Sequence, residues 1–295
     1  MTTPKKHLIL FAVDGSRSAE AALATALKMP WPASSNAGAV VAKSVGWLQS
    51  ASEQALAVLE SGFQAAATEA RRVLSKRWPE AQVAIVDASP VDALLAEAER
   101  VEATVIVLGW RGHGAFRRLL AGSVSRSIAE RASCAVLIVR EAPSVAIRRF
   151  VVAFDGCPNA ERAVDFLSTL EPVRGSRVVL VNVVEPLSLP TSGARFPAAM
   201  RARLRAEVAA INETNHQKGL ATVTTGAVRL ERAGWKVETD VRSGAPLASL
   251  LKALGEHGGQ VLVMGARATS GLDRALIGSV ASGALNTAPV VLLVR

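Results

Sequence analysis

TVIVLGWRGHGAFRRLLAGSVSRSIAERASCAVLIVR, running from Thr104 to Arg140, is the stretch whose reading decides the fold. Thr104 to Leu108 is a short apolar run rich in β-branched residues, which reads as a buried strand. Gly109, Gly112 and Gly114 follow, and their lack of a Cβ lets backbone N–H groups turn sharply toward a ligand. Gly122-Ser123-Val124-Ser125 then opens a helical pattern whose apolar members are Val124, Ile128 and Ala132. Free N–H groups at such a helix start attract anions, phosphate above all. Ala135 to Val139 is a second strand, so the stretch is a βαβ unit with a phosphate cradle.

Commoner phosphate loops do not fit. No Lys-Ser or Lys-Thr follows a glycine here, which excludes a Walker loop, and Gly112-His113-Gly114 meets Arg117 where a dinucleotide fingerprint needs its third glycine. What remains is G-x2-G-x9-G-S at Gly109, Gly112, Gly122 and Ser123. This pattern resembles the ATP-binding branch of the universal stress protein family.

Outward from this stretch, the chain falls into elements of matching kind. Leu8 to Val13 is a strand ending in Asp14-Gly15-Ser16, and Val40 to Val45 is a second. Leu56, Leu59, Phe63, Ala67, Ala70 and Leu74 mark a long amphipathic helix. Gln82 to Val86 is a third strand, and Ser89-Pro90-Val91-Asp92 is a helix start with Ser as N-cap. The pattern then repeats. Asp14 aligns with Asp155 at an offset of 141, whereas Gly109 aligns with Gly265 and Gly122 with Gly278 at an offset of 156. The difference of 15 residues is assigned to Pro186–Pro197 and to Thr222–Gly234, read as irregular.

The expectation is therefore an α/β protein of two tandem Rossmann-like domains of the adenine nucleotide α-hydrolase-like kind. They span residues 1–145 and 146–295, joined by the proline-bearing linker Glu141 to Arg148. Each should be a five-stranded parallel sheet with helices on both faces, since parallel strands need crossovers. The two sheets should be separate and pack as an internal pseudo-dimer, with homodimerisation a further option. The resemblance adds a strand order of 3-2-1-4-5 and fifth strands that usually pair subunits.

Composition narrows the function. The chain has 295 residues, a formal charge of +9 and two cysteines, Cys134 and Cys157, outside any C-x-x-C or Cys/His cluster. Both read as packing residues in a reducing compartment. No apolar run approaches a membrane span and no signal-peptide pattern opens the chain, so a cytoplasmic protein without membrane partners is expected. The basic residues are scattered, and Arg201, Arg203 and Arg205 read as a solvated helix face rather than a nucleic-acid surface.

The resemblance carries roles onto individual positions. In the first repeat, Asp14 with Ala12 and Val13 beside it would meet the nucleoside end of ATP. Val45 would hold adenine through its backbone. Gly109, Arg111, Gly112, Gly114, Gly122, Ser123, Val124 and Ser125 would surround the phosphates, which carry any Mg. His113 either touches the ligand or is an idle loop position, and Trp110 reads as a lid or packing residue. The second repeat keeps Asp155, Val183, Gly265, Arg267, Gly278, Ser279 and Val280. It has Ala268 in place of Gly112 and Ala281 in place of Ser125, so it should bind at least about tenfold more weakly if a hydroxyl contact to phosphate is lost. No catalytic residue and no protein metal ligand stands out. The implied function is an ATP-binding stress-response regulator or sensor with slow or no hydrolysis and an unidentified protein partner. A nucleotide-free scaffold and a weak ATPase are the alternatives.

Overall fold

The computed structural model describes residues 6–43, 52–110, 122–189, 197–266 and 277–295. The first repeat comprises β1 (Leu8–Val13), α1 (Arg17–Leu27), β2 (Asn36–Ala42), α2 (Glu53–Leu74), β3 (Gln82–Val86), α3 (Pro90–Arg100), β4 (Val105–Gly109), α4 (Ser123–Arg131) and β5 (Ala135–Val139). The second comprises β6 (Arg149–Ala153), α5 (Pro158–Ser168), β7 (Arg177–Val184), α6 (Ala198–Arg232), β8 (Lys236–Ser243), α7 (Pro246–Glu256), β9 (Val261–Gly265), α8 (Ser279–Thr287) and β10 (Val290–Val294). Each repeat is a parallel α/β unit with the expected internal order, β3-β2-β1-β4-β5 and β8-β7-β6-β9-β10.

The two sheets are not separate. β5 and β10 pair antiparallel, with Leu137 opposite Leu292 and Ile138 opposite Val291, so all ten strands form one mixed sheet. The reason lies in the two strand sequences, AVLIV and VVLLV, whose ten residues are all buried. Burying such a side chain is worth about 1.5–3 kcal/mol, so the four cross-strand pairs contribute on the order of 10 kcal/mol, which an edge left in water would forgo. The apolar layers confirm the continuity. One face of the sheet packs α1, α2, α5 and α6 into a single cluster, and the other packs α3, α4, α7 and α8 into a second, each drawing residues from both repeats.

A second set of contacts joins the repeats at the carboxyl ends of α1 and α5. The Glu171 N–H donates to Pro30 O, the Ile147 N–H to Lys28 O, and the Lys28 ammonium to Pro143 O. His7 is buried there, its ring 2.8 Å from Thr169 Oγ1 and 3.2 Å from Thr104 Oγ1, with the rings of Phe166 and Trp31 packed against it at a tilt. The linker is thus fastened at Ile147 rather than loose.

Two boundaries differ from the sequence reading. β2 begins at Asn36 and ends at Ala42, because small residues pair there: a Cβ on Gly38 would already stand 3.4 Å from the Gln82 carbonyl of β3. The extra length of the second repeat is largely helical. α6 has 35 residues against 22 described in α2, and Thr222–Arg232 belongs to it rather than to an irregular segment. At 1.5 Å per residue α6 is about 52 Å long and α2 about 33 Å, both longer than the strands they cover. Their first turns therefore overhang the sheet: Ala198–Lys218 contains no buried residue, and Leu56 and Val58 in α2 are exposed although Leu56 belongs to the apolar stripe. Arg201, Arg203 and Arg205 lie on that exposed stretch of α6, as expected of a solvated face.

If the β5–β10 pairing is the main junction, residues 1–145 or 146–295 expressed alone should self-associate through the bared strand. Light scattering after gel filtration should find dimers or larger species for each half; a monodisperse monomer would contradict the assignment. A smaller effect is expected at Glu102, which holds φ +52° after α3, where its counterpart after α7 is Gly258 at φ +57°. Glu102→Gly should leave stability unchanged or raise it by about 0.5–1 kcal/mol in chemical denaturation, since only a side chain with a Cβ is strained there.

Candidate functional site

The rim at the carboxyl ends of the strands gathers the predicted residues in both repeats. After β1, Asp14 is exposed and its carboxylate accepts from the Ser16 N–H, while Ser16 Oγ caps α1 by accepting from the Ala19 N–H. After β6 the same turn recurs with Asp155 accepting from the Cys157 N–H and the Cys157 sulfur standing in as N-cap, 3.4 Å from the Ala160 nitrogen. Cys157 is therefore a cap as well as a packing residue. Burial, together with a hydrogen bond to Asp155, pushes its thiol pKa up, and burial pushes that of Cys134 up to about 11.

Gly109 and Gly265 end the fourth strand of each repeat, and their smallness serves helix packing. A Cβ on Gly109 would strike Ser18 in the first turn of α1, and one on Gly265 would stand 2.7 Å from the Asn159 backbone in α5. Neither Ser18 nor Asn159 was singled out by sequence, which gives no warning of a helix crossing so close. The next signature glycines differ between repeats. Gly122, at the start of α4, is left-handed with φ +86°, and Trp110 lies under it, so a side chain there would be strained and would meet the indole at 3.0 Å. Gly278, at the start of α8, is extended with φ −60°. Among the described residues no side chain caps α4 or α8, as is also the case for α6 and α7, whereas Ser or Cys caps α1, α2, α3 and α5.

Ser125 departs from expectation. It is buried, and its hydroxyl donates to the Gly109 carbonyl at 2.7 Å and lies 3.3 Å from the Trp110 carbonyl, tying α4 to the end of β4. Its proton is committed to the protein and is not offered to phosphate. The matching Ala281 is buried without a hydroxyl, and the Gly278 N–H instead donates to the Ala266 carbonyl. Trp110 is a packing residue, buried and with the Arg140 guanidinium 5.3 Å from its ring centre.

In the second repeat the rim encloses a cavity of about 300 Å³ lined by Asp155, Val183, Gly265, Gly278, Ser279 and Val280, with Leu250 and Met264 among the apolar residues of its wall. In the first repeat Ala12, Val13, Asp14, Gly109, Gly122, Ser123 and Val124 occupy the corresponding positions. Pairing sets Ala12 beside Val40 and Ala153 beside Val181, so the residue of the first repeat that corresponds to Val183 is Ala42. The offset of 141 already gives this answer from the sequence. Val45, Arg111, Gly112, His113, Gly114, Arg267 and Ala268 lie outside the described residues. Among those described, no three His, Cys, Asp or Glu side chains cluster as metal ligands, and no helix is long and apolar enough to cross a membrane.

Two copies of a doubly wound α/β unit, each with an acidic turn after its first strand and a glycine-started helix after its fourth, define a tandem protein with paired rims. The sequence profile of the universal stress protein family matches residues 7–140 and 146–295. This chain belongs to the universal stress protein family. A universal stress protein of Mycobacterium bovis is 29% identical over 224 residues, covering 71% of this chain and 67% of its own, and one from Mycobacterium tuberculosis H37Rv matches to the same extent. The crystal structure of a universal stress protein from Archaeoglobus fulgidus has the same fold with a TM-score of 0.65, at 18% identity and covering 98% of this chain and 96% of its own.

Ser125→Ala should lower stability by about 1–3 kcal/mol in chemical denaturation, because it leaves buried carbonyls short of a donor. A change within a few tenths of a kcal/mol would mean that water or a rearranged helix end supplies the missing bond.

Proposed function

We propose that this protein binds ATP or a related adenine nucleotide at its strand-end rims and acts as a stress-response regulator or sensor in the cytoplasm, with slow or no hydrolysis. The observation that carries this reading is the combination, in the second repeat, of a rim cavity with an uncapped helix start on its wall. Asp14, Gly109, Gly122, Ser123 and Val124 repeat the Asp155, Gly265, Gly278, Ser279 and Val280 of that wall in the first repeat. The phosphates, with any Mg they carry, would meet the N–H groups at Ser123 and Val124, and the nucleoside end would lie toward Asp14. Family membership supports a stress-related role. The first repeat is the tighter site in this reading, on the strength of its full glycine signature and of its left-handed Gly122, which sets its helix start apart from that at Gly278. Ser125 no longer contributes to that argument.

Aspartate at the first helical position tests the idea without harming the helix, since an acid favours a helix N-terminus yet repels phosphate. Ser123→Asp should weaken ATP binding by about tenfold or more in calorimetry with no loss of thermal stability, and Ser279→Asp should abolish only a weaker component. Unchanged affinity in both would refute the reading. Cys157 offers an independent readout because it lines the second cavity. Its alkylation should quicken as pH rises toward its raised pKa, and saturating ATP should slow it, with Cys134, which does not line that cavity, as the control.

A further inference from the structure

The ten-stranded sheet ends at β3 on one side and β8 on the other, and the two edges differ in chemistry. An edge strand offers unpaired N–H and C=O groups to any other strand, and charged side chains are the usual protection. β8 has that protection. Its sequence KVETDVRS carries Lys236, Glu238, Asp240 and Arg242. Asp240 bonds Arg242 and the His257 ring, Arg242 also bonds Glu256, and Glu238 holds Arg177, so the edge is laced with ions.

β3 has no such protection. Its sequence QVAIV contains no charged residue, and Val83 to Val86 are only half-buried. The repeat offset of 156, which strand pairing supports, places Ala84, Val86, Arg100 and Val101 where the second repeat has Asp240, Arg242, Glu256 and His257. Of these four only Arg100 is charged, and Glu97 on the same helix pairs with it. The second repeat shows that this fold accepts an ionic network at its edge. The first repeat has apolar side chains in its place.

The backbone of β3 is directed accordingly. Lys43 N–H donates to the Val86 carbonyl, so Val86 turns its backbone groups toward β2, as do Ala84 and Gln82 by alternation along the strand. Val83 and Ile85 therefore turn theirs away from β2, and these make no other hydrogen bond among the described residues. Their side chains pack against the cluster under α2, which holds the strand in place.

We propose that β3 is the surface through which two copies of this chain associate, the two β3 strands pairing antiparallel about a two-fold axis at Ala84. In that register Val83 of each copy lies opposite Ile85 of the other and exchanges both backbone hydrogen bonds with it, while Gln82 lies opposite Val86. No like charges meet, because Asp87 of each copy lies beyond the paired residues. Such an interface is self-complementary, the same patch serving both copies. The chain already closes its other uncharged edges in this way, since β5 and β10, equally free of charge, pair antiparallel with each other. The proposal does not depend on what the rims bind.

Sedimentation equilibrium of the full chain should find a dimer that dissociates on dilution. Ala84→Asp with Val86→Arg gives β3 the acid and base that β8 carries at the matching positions, and should weaken the dimer by roughly tenfold or more. Ala84→Cys should link two copies under mild oxidation where the wild-type chain does not, because facing Cα atoms at a non-hydrogen-bonded antiparallel pair stand about 4.5 Å apart, within disulfide reach. Amide exchange at Val83 and Ile85 should slow as the chain is concentrated. If the double variant melts early, the cross-link and the exchange decide. A wild-type chain still monomeric at high concentration would leave the edge to a strand of some other protein and overturn the proposal. So would a dimer that the charged pair leaves intact or that Ala84→Cys fails to link, or exchange at Val83 and Ile85 that is already slow in the monomer.

Discussion

The antiparallel pairing of β5 with β10 is the constraint on which the rest of the molecule depends. Both strands are apolar along their whole length, so neither has a solvent face, and each needs a cover on both sides and a partner at its edge. The helices supply the covers and the opposite repeat supplies the partner. Once that junction is made, α1 and α5 are brought together on the same face, and the linker and His7 fill the space where their carboxyl ends meet. The two rims then belong to one continuous sheet and hold a fixed relation to each other.

Close approach of helix to strand shapes the rims as much as ligand chemistry does. Ser18 over Gly109 and Asn159 over Gly265 set the first turns of α1 and α5 directly on the ends of β4 and β9. Glycine at these places belongs to the architecture, whereas at the start of α4 and α8 it leaves the helix without a side-chain cap among the described residues. Ser125 then locks α4 in place from below. The signature is thus a mixture of packing and exposure, and its members cannot all be ligand contacts.

Much of this was legible in the sequence. β1, β3 and β5 were read to the residue, because they are short, β-branched runs bounded by turns, and Ser89 was read as the N-cap that it is. β2 was read four residues late because Asn36-Ala37-Gly38-Ala39 lacks the β-branched signal, its strand state being imposed by neighbours on both sides. The Thr222–Gly226 run looked irregular for a different reason. Three threonine hydroxyls there bond back to helix carbonyls, and Gly219 and Gly226 are small because Asn182 and Phe154 press against them, not because the helix stops. The joining of the two sheets was missed although the resemblance supplied fifth strands that usually pair subunits. Periodicity reports which faces are buried; it does not say against which copy an edge closes.

The linker Glu141–Arg148 changes the kind of equilibrium that holds the sheet together. Were the two repeats separate chains, their edge pairing would follow mass action and weaken on dilution. Covalent connection turns it into an intramolecular event with an effective concentration on the order of millimolar, fixed by a span of only a few residues. Fastening of that span at Ile147 and Pro143 raises it further by removing linker freedom. The pseudo-dimer should therefore keep its geometry at any expression level.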